Sequence, residues 1–320
     1  MWINFLISYS IVLEVKKVTM KKLSIIVPCF NEEKSLPLFY KEMVKVLKKL
    51  NYKYELILVD DGSKDKTLAE ARKICGKDKN VFYITFSRNF GKEAAMLAGL
   101  KHATGDYVGF IDADLQHPPI LLKQMCEALE TGEYDCAACR RVDRTGDSKV
   151  RTWFARKFYK IINKVSDAQM MDGAGDYRLM TRKMIDAILS MPEHNRFSKG
   201  IFSWVGFNTY WIDYENVDRV AGVSSWSFIG LVKYAFNGIF CFSNAPLDLI
   251  FVGSFVIFLL TLILMILALI LNNNNLLLAI IIILSSIQLI SLGIIGQYIS
   301  RIYAESKNRP QYIISDTNIE

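Results

Sequence analysis

The sequence predicts an α/β protein, a mostly parallel sheet flanked by helices, followed by helices that lie on and cross a membrane. Three observations carry that prediction. Short β-rich apolar runs alternate with helical stretches from Leu23 to Ile111. A polar cluster stands at the end of each run, where the ligand sites of parallel sheets lie. Two long uncharged apolar segments then fill the region before the C-terminus.

The elements follow in order. Leu23–Pro28 is a short strand ended by proline, and an amphipathic helix runs from about Ser35 to Leu50. Tyr54–Val59 is a second buried strand that stops at Asp60-Asp61-Gly62-Ser63. Asp65–Cys75 reads as a helix, Val81–Thr85 as a third strand and Lys92–His102 as a helix. The fourth strand, Tyr107–Ile111, stops at Asp112, and His117-Pro118-Pro119 cannot continue it. Asn31-Glu32, Asp60-Asp61, Arg88-Asn89 and Asp112/Asp114 therefore fall at strand ends and are expected to converge.

Leu249–Leu271 and Leu276–Ile299 carry no charge, and each is long enough to cross a hydrocarbon core of about 30 Å. Asn272–Asn275 leaves room only for a tight turn between them. Arg301, Lys307 and Arg309 follow the second span and Lys233 precedes the first, which places both termini and the large N-terminal part in the cytoplasm. Trp226–Phe242, whose only charge is Lys233, reads as one or two helices at the interface, with an ordinary core helix as the alternative. Trp2–Leu13 is apolar but lacks a basic leader and a cleavage site, so it is a poor signal peptide. Either Met20 is the natural start or the extension is a loose peripheral helix.

The net charge of +7 suits an anionic membrane surface and anionic substrates, and nothing resembles a nucleic-acid module. The six cysteines show no framework. Cys136 and Cys139 have redox or zinc-knuckle spacing, but without a second pair or nearby histidine they read as packing in a reducing cytoplasm. No Walker loop and no Gly-x-Gly-x-x-Gly follows the first strand, which argues against a common ATPase or dinucleotide enzyme.

Asp112-Ala113-Asp114-Leu115-Gln116 holds the densest chemical signal. Side chains at i and i+2 of an extended segment share a face, so both carboxylates can reach one ion. Oxygen ligands suit Mg2+ or Mn2+, which keeps sites open for substrate phosphates. Asp60 and Asp61 suit contacts to a nucleoside, by accepting from base N–H groups or ribose hydroxyls. His117 reads as a loop residue, with metal ligation as the lesser alternative. Lys92, Glu93 and Lys101 read as a solvated helix face, and His102 and His194 carry no site signal.

Val27-Pro28-Cys29-Phe30-Asn31-Glu32-Glu33, Val59-Asp60-Asp61-Gly62-Ser63 with Asp65 and Thr67, and Asp112-Ala113-Asp114-Leu115-Gln116 together resemble glycosyltransferase family 2, with its GT-A fold. Gly175-Asp176-Tyr177-Arg178-Leu179-Met180, Arg196-Phe197 with Gly200, Trp204-Val205-Gly206-Phe207, Arg219 with Ala221-Gly222, and the tail Gly296-Gln297-Tyr298 to Arg309-Pro310 are similar to the polyprenyl-phosphate (bactoprenol) glycosyltransferases. Dolichyl-phosphate mannose synthase is a more distant relative. The resemblance spans Lys21 to Tyr312, and it is specific through the order of its motifs.

That resemblance implies that Pro28, Asn31, Glu32 and Asp60 line the nucleoside pocket, with Asp61 supporting it. Asp112 and Asp114 would hold Mg2+ or Mn2+ on the diphosphate, with Gln116 beside them, and Asp176 would act in the catalytic centre with Asp114. Arg141 and Arg144 would meet the lipid phosphate. The implied reaction is inverting transfer of one glucose or N-acetylglucosamine from a UDP-sugar to undecaprenyl phosphate, at the cytoplasmic face of a bacterial plasma membrane. A flippase and a downstream transferase would follow, and a homo-oligomer through the spans is compatible. The family often has arginine where Asn216 stands and lysine where Ser225 stands, so acceptor contacts there are in doubt. The implied layout is an extension (1–19), a catalytic domain (20–222), interfacial helices (223–247), two spans (248–299) and a tail (300–320). The competing readings are a processive polysaccharide synthase, whose Gln-x-x-Arg-Trp motif is missing, and a weakly active scaffold subunit of a glycosylation complex.

Overall fold

The structure, a computed structural model, describes residues 20–142, 149–166, 168–191, 193–215, 228–271 and 274–319. Eight strands form one sheet in the order β7-β5-β6-β4-β1-β2-β3-β8. In chain order these are β1 (Lys22–Cys29), β2 (Lys53–Asp60), β3 (Val81–Phe86), β4 (Tyr107–Phe110), β5 (Cys136–Arg141), β6 (Ala174–Thr181), β7 (Thr209–Tyr214) and β8 (Ile314–Thr317). Strands β1 to β4 are mutually parallel, and β5 pairs parallel with β7. Strand β6 runs antiparallel between β4 and β5, and β8 runs antiparallel on β3.

The first four strands are buried on both faces, which is why they read as continuous apolar runs. Helices α1 (Leu36–Leu47), α2 (Thr67–Cys75) and α4 (Leu121–Glu130) cover one face, where Phe39, Met43, Ile74 and Met125 pack on Ile25, Val27 and Leu58. The other face is covered by α3 (Lys92–His102), α6 (Arg182–Leu189) and α7 (Ser198–Trp204). Helix α3 lies closest to the sheet, because its face carries Ala95, Ala98 and Gly99. A Cβ added at Gly99 would stand 2.2 Å from Cγ2 of Ile26. Every residue of α3 from Ala94 to Leu100 is buried, so only its two ends meet solvent.

Two features lay outside the sequence reading. The chain after the second apolar segment does not trail away: β8 pairs with the exposed edge of β3, so the tail closes that edge. Asp316 accepts from Tyr83 Oη at 2.7 Å and pairs with Arg72 at 2.6 Å, and Tyr312 stacks on Phe86. The second feature is a buried charge at the far rim. Glu55, 5 % exposed, meets Lys22 Nζ at 2.5 Å, the Ser24 hydroxyl at 2.5 Å and the Thr104 N–H at 2.7 Å.

Helices α9 (Ala245–Ile270) and α10 (Asn274–Ser306) contain the two apolar segments. At about 1.5 Å per residue each exceeds the ~30 Å hydrocarbon thickness. Their apolar side chains point outward, Leu249 at 72 % and Phe251 at 80 % exposure, as lipid-facing side chains would. Trp226 lies outside the described residues, and the segment after it forms the single helix α8 (Phe228–Phe242). One side of α8 packs on the domain, with Phe242 against Gly200 and Gly238 against Phe197, while Phe236 is 58 % exposed. The end of α10 is fastened to α8 by Arg301, which donates to Asn237 Oδ1 and Cys241 Sγ, and to the domain by Glu305, which accepts from the His194 N–H at 2.8 Å.

Burial pushes the Glu55 carboxyl up, but Lys22, Ser24 and the Thr104 N–H outweigh it and hold the group below its ordinary value of 4.5. Its contribution is therefore present above that value and lost as pH falls through the lower folded-state value. Glu55→Gln should cost about 1–3 kcal/mol at neutral pH. Thermal unfolding of the two proteins in detergent should show that gap narrowing on acidification to about pH 4; a gap that is independent of pH would contradict the assignment.

Candidate active site

Strand directions decide which side chains meet. Parallel β1, β2 and β4 end at the same rim, bringing Asn31, Asp60 and Asp112 to it. Antiparallel β6 begins at that rim, and its register pairs Arg178 with Phe110. Asp176 lies two residues before Arg178 on β6, and Asp112 two residues beyond the end of β4. The ammonium of Lys92, at the first turn of α3, lies between them: 2.7 Å from Asp112 Oδ1 and 2.7 Å from Asp176 Oδ2. Lys92 and Glu93 are thus not a solvated helix face, which corrects the sequence reading. The helix is enclosed along its length, so its charged N-terminal residues point into the site. Lys101 at the other end lies over the Tyr312 ring, 5.6 Å from its centroid.

The electrostatics follow from that contact. Burial disfavours the Lys92 charge, yet Asp112 and Asp176 outweigh it and raise the ammonium above its ordinary range. Burial pushes the Asp176 carboxyl up, but Lys92, with Lys199 and Arg178 behind it, holds it well below the usual carboxylate range. Asp176 is therefore firmly ionised and a weak base. Its position suits orienting a hydroxyl or facing a developing positive charge better than abstracting a proton.

A third carboxylate fixes the backbone that carries the lysine. Asp61 Oδ1 accepts the N–H groups of Phe90 at 2.7 Å and Gly91 at 3.1 Å, and Oδ2 accepts Gly91 again at 2.9 Å. Those amides begin α3. Burial, partly offset by the N–H bonds, pushes the Asp61 carboxyl up to about 6. The same loop presses on Gly62 (φ +65), where an added Cβ would meet the backbone carbon of Arg88 at 2.4 Å. The Asp-Asp-Gly stretch thus clamps the entry to α3. Glu93 ties α3 to α7 by accepting the Ser198 N–H at 3.0 Å and its hydroxyl.

The remaining candidates lie as follows. Asp60 is buried and accepts from Thr85 Oγ1 at 2.7 Å and the Ser63 N–H at 3.1 Å. Asn31 (φ 58) is exposed; its N–H donates to Ser63 Oγ, and its carbonyl accepts the Lys64 N–H. The Glu32 N–H donates to Thr67 Oγ1, and the Glu32 carboxylate accepts from Ser35. Pro28 is half-buried on β1 opposite Val59. Arg141 ends β5, half-buried, with its N–H on the Gly173 carbonyl at 3.0 Å. Arg144, Asn216, Arg219 and Ser225 lie outside the described residues.

The segment carrying Asp112 and Asp114 is not extended, as the sequence reading assumed. Strand β4 stops at Phe110, and the chain turns with Leu115 at φ 59. Asp114 is buried and accepts the Gln116 N–H at 3.1 Å. His117 is more than a loop residue: its ring lies between those of Tyr177 and Tyr214, and its Nδ1 is buried without a partner. Burial lowers its pKa, against the pull of Asp112. The charges of Asp112, Asp114 and Asp176 all favour a protonated imidazole there, but burial outweighs them. Among the described residues, no three His, Cys, Asp or Glu groups converge closely enough to form a complete metal cage. The donor set still fits a hard divalent ion, because Mg2+ and Mn2+ commonly take one or two carboxylates and complete the shell with phosphate and water.

Lys92→Met would leave Asp112 facing Asp176 with no counter-charge. Calorimetry should then show Mn2+ binding roughly tenfold tighter in the absence of nucleotide, since the ion no longer competes with the ammonium. Unchanged or weaker Mn2+ binding would show that the lysine and the ion do not share these carboxylates.

Comparison with known proteins gives the family. The model of glycosyl transferase family 2 matches residues 24–189. A bactoprenol glucosyl transferase of Shigella phage SfV is 40 % identical over 303 residues, 92 % of this chain and 98 % of that protein. A prophage bactoprenol glucosyl transferase homolog of Escherichia coli (strain K12) is 39 % identical over 301 residues, 92 % of this chain and 98 % of that protein. Glucosyl-3-phosphoglycerate synthase from Mycobacterium tuberculosis, solved with Mn2+, UDP-glucose and phosphoglyceric acid, is 18 % identical with a TM-score of 0.47, covering 69 % of this chain and 78 % of that one. That last likeness is too remote to transfer chemistry. The family match over half of the chain and the relatives over nearly all of it lead to one conclusion: the chain belongs to glycosyl transferase family 2 and is a glycosyltransferase with a GT-A-like fold.

Proposed function

We propose that the protein moves one sugar, glucose or N-acetylglucosamine, from a UDP-sugar to undecaprenyl phosphate at the cytoplasmic face of a bacterial plasma membrane. The carrying observation is the Asp112–Lys92–Asp176 bridge at the rim of the sheet, in a chain that aligns over almost its whole length with bactoprenol glucosyl transferases. The two apolar helices supply a membrane hairpin, and the fastening of α10 to α8 and to His194 keeps the domain beside it. The basic residues after the second span favour a cytoplasmic domain.

In this reading Asp60, Asn31, Glu32 and Pro28 border the nucleoside, and Asp61 acts indirectly by clamping α3. Asp112 and Asp114, with Gln116 beside them, hold Mg2+ or Mn2+ on the diphosphate. That ion would offset the charge that grows on the leaving group. The acceptor phosphate is already anionic at neutral pH, so the anomeric carbon needs positioning more than base catalysis. A single displacement inverts the centre, giving a β-linked product from an α-linked donor. Asp176, kept ionised by Lys92, orients a sugar hydroxyl or faces positive charge at the ring. Arg141, at the end of β5, would meet the lipid phosphate on its way to the site.

Membranes bearing the protein, given radiolabelled UDP-glucose or UDP-N-acetylglucosamine with undecaprenyl phosphate, should form a chloroform-extractable monosaccharide lipid. Chelation should abolish it, and Mn2+ or Mg2+ should restore it. Asp114→Asn should lower the rate about a hundredfold or more, and Asp176→Asn should reduce kcat with little change in donor binding. Formation of long polymer, or of no lipid-linked sugar from either donor, would refute the reading.

A further inference from the structure

Beside Asp176 lies a cavity of about 260 Å³ bounded by β6, α7, β7 and α5 (Lys149–Val165). Two of its lining side chains are basic, Arg178 and Lys199, and among the described residues no carboxylate lines it. Arg178 is only 4 % exposed. Its Nη2 donates to the Gly175 carbonyl at 2.9 Å, and its guanidinium carbon stands 3.8 Å from the centroid of the Phe202 ring. Its Nε is buried and has no hydrogen-bond partner. An incompletely satisfied buried guanidinium is costly in a protein interior, and an anion in contact with it would remove that cost. The contrast with Lys92 is one of degree: that cation has two carboxylates at 2.7 Å, whereas Arg178 has a carbonyl, the Cys136 side chain and a ring face, with the Asp176 charge farther off and no ion pair within salt-bridge distance among the described residues.

The opposite wall is apolar. Tyr159 and Met170 line the cavity and also belong to the small cluster through which the domain packs on Ile239 and Phe242 of α8. Helix α8 leads directly into α9 and is held to the end of α10 by Arg301. Phe202, Phe207 and Trp211 add further aromatic lining. The cavity therefore joins two chemistries, a cationic end next to Asp176 and an apolar side facing the helices that meet the bilayer. Arg178 lies two residues after Asp176 on β6, which sets the cationic end beside that carboxylate.

We propose that this cavity receives a prenyl phosphate monoester, its phosphate held by Lys199 and Arg178 and its chain lying along Tyr159 and Met170 toward α8. The identity of the chain rests on the proposed function. The site itself rests on the cavity and its cations, and it is separate from Arg141 at the end of β5. Guanidinium and ammonium donors suit a phosphate dianion, the first through paired N–H groups and the second as a point charge.

Binding can be read without turnover. Purified full-length protein in detergent is titrated with citronellyl phosphate, citronellol and inorganic phosphate, and separately with UDP-glucose. Lys199 is half-buried and carries no structural ion pair among the described residues, so Lys199→Gln keeps the fold, while Lys199→Arg restores the charge. Citronellyl phosphate should bind Lys199→Gln about tenfold or more weakly, with Lys199→Arg close to the parent and UDP-glucose affinity unchanged. Equal binding to the parent and Lys199→Gln would overturn the site. Inorganic phosphate binding as tightly as citronellyl phosphate would mark a free-anion site and overturn the lipid assignment, and equally tight citronellol would make the cations irrelevant. The two readings separate cleanly. Loss of prenyl phosphate binding in Lys199→Gln, in a protein that makes no lipid-linked sugar, supports the site and refutes the reaction. Turnover with an unchanged acceptor KM in Lys199→Gln refutes the site and leaves the reaction standing.

Discussion

Two carboxylates brought to the same rim of a sheet repel unless a cation lies between them, and here the ammonium of Lys92 supplies it. Much of the surrounding architecture serves that contact. The antiparallel pairing of β4 with β6 brings the end of one and the start of the other to the same rim, and the clamp of Asp61 on Phe90 and Gly91 sets where α3 begins. Glu93, one residue on, binds the first residue of α7, so the helix that carries Lys199 and Phe202 is referenced to the same point. A shift of any one of these elements would move charges that a glycosyltransferase needs to hold within about half an ångström.

The bridge also sets the charge balance of the site. With Lys92 between them, the charges of Asp112 and Asp176 are partly offset by one ammonium. Asp112 and Asp114 would hold a divalent ion on a bound diphosphate, and that ion would supply positive charge beside the place the Lys92 ammonium fills here. Asp176 is firmly ionised, and a carboxylate held this low is a poor base and a good partner for hydroxyls or positive charge.

The membrane part is joined to this centre by specific side chains. Arg301, Tyr298 and Glu305 on α10 reach α8, the Ser243 carbonyl and the loop before α7. The chain then returns to the sheet as β8, so the catalytic sheet is closed at one edge by residues that lie beyond the membrane hairpin. The hairpin is therefore bracketed by the domain in sequence as well as in space. An acceptor anchored in a bilayer around α9 and α10 would meet α8 before it meets the cations of the cavity.

The sequence by itself determined the alternation of strands and helices, the apolar hairpin and the positions where acids collect. These are encoded locally: β4 is a short apolar run that must end at Asp112, and α9 has no charge between Leu249 and Ile270. Helix α3 matched its expected bounds because its composition alone favours a helix. What the sequence left hidden depended on long-range pairing. Lys92 and Glu93 looked like solvated charges because nothing local records that α3 is enclosed and that β6 lies antiparallel beside β4. His117 looked like a loop residue because Tyr177 and Tyr214, which enclose it, come from distant strands. The bent path through Leu115 escaped a pattern that assumes an extended chain. Charge type and hydrophobic period are properties of neighbouring residues, whereas counter-charges and burial are set by strand order and register, which only the folded sheet fixes.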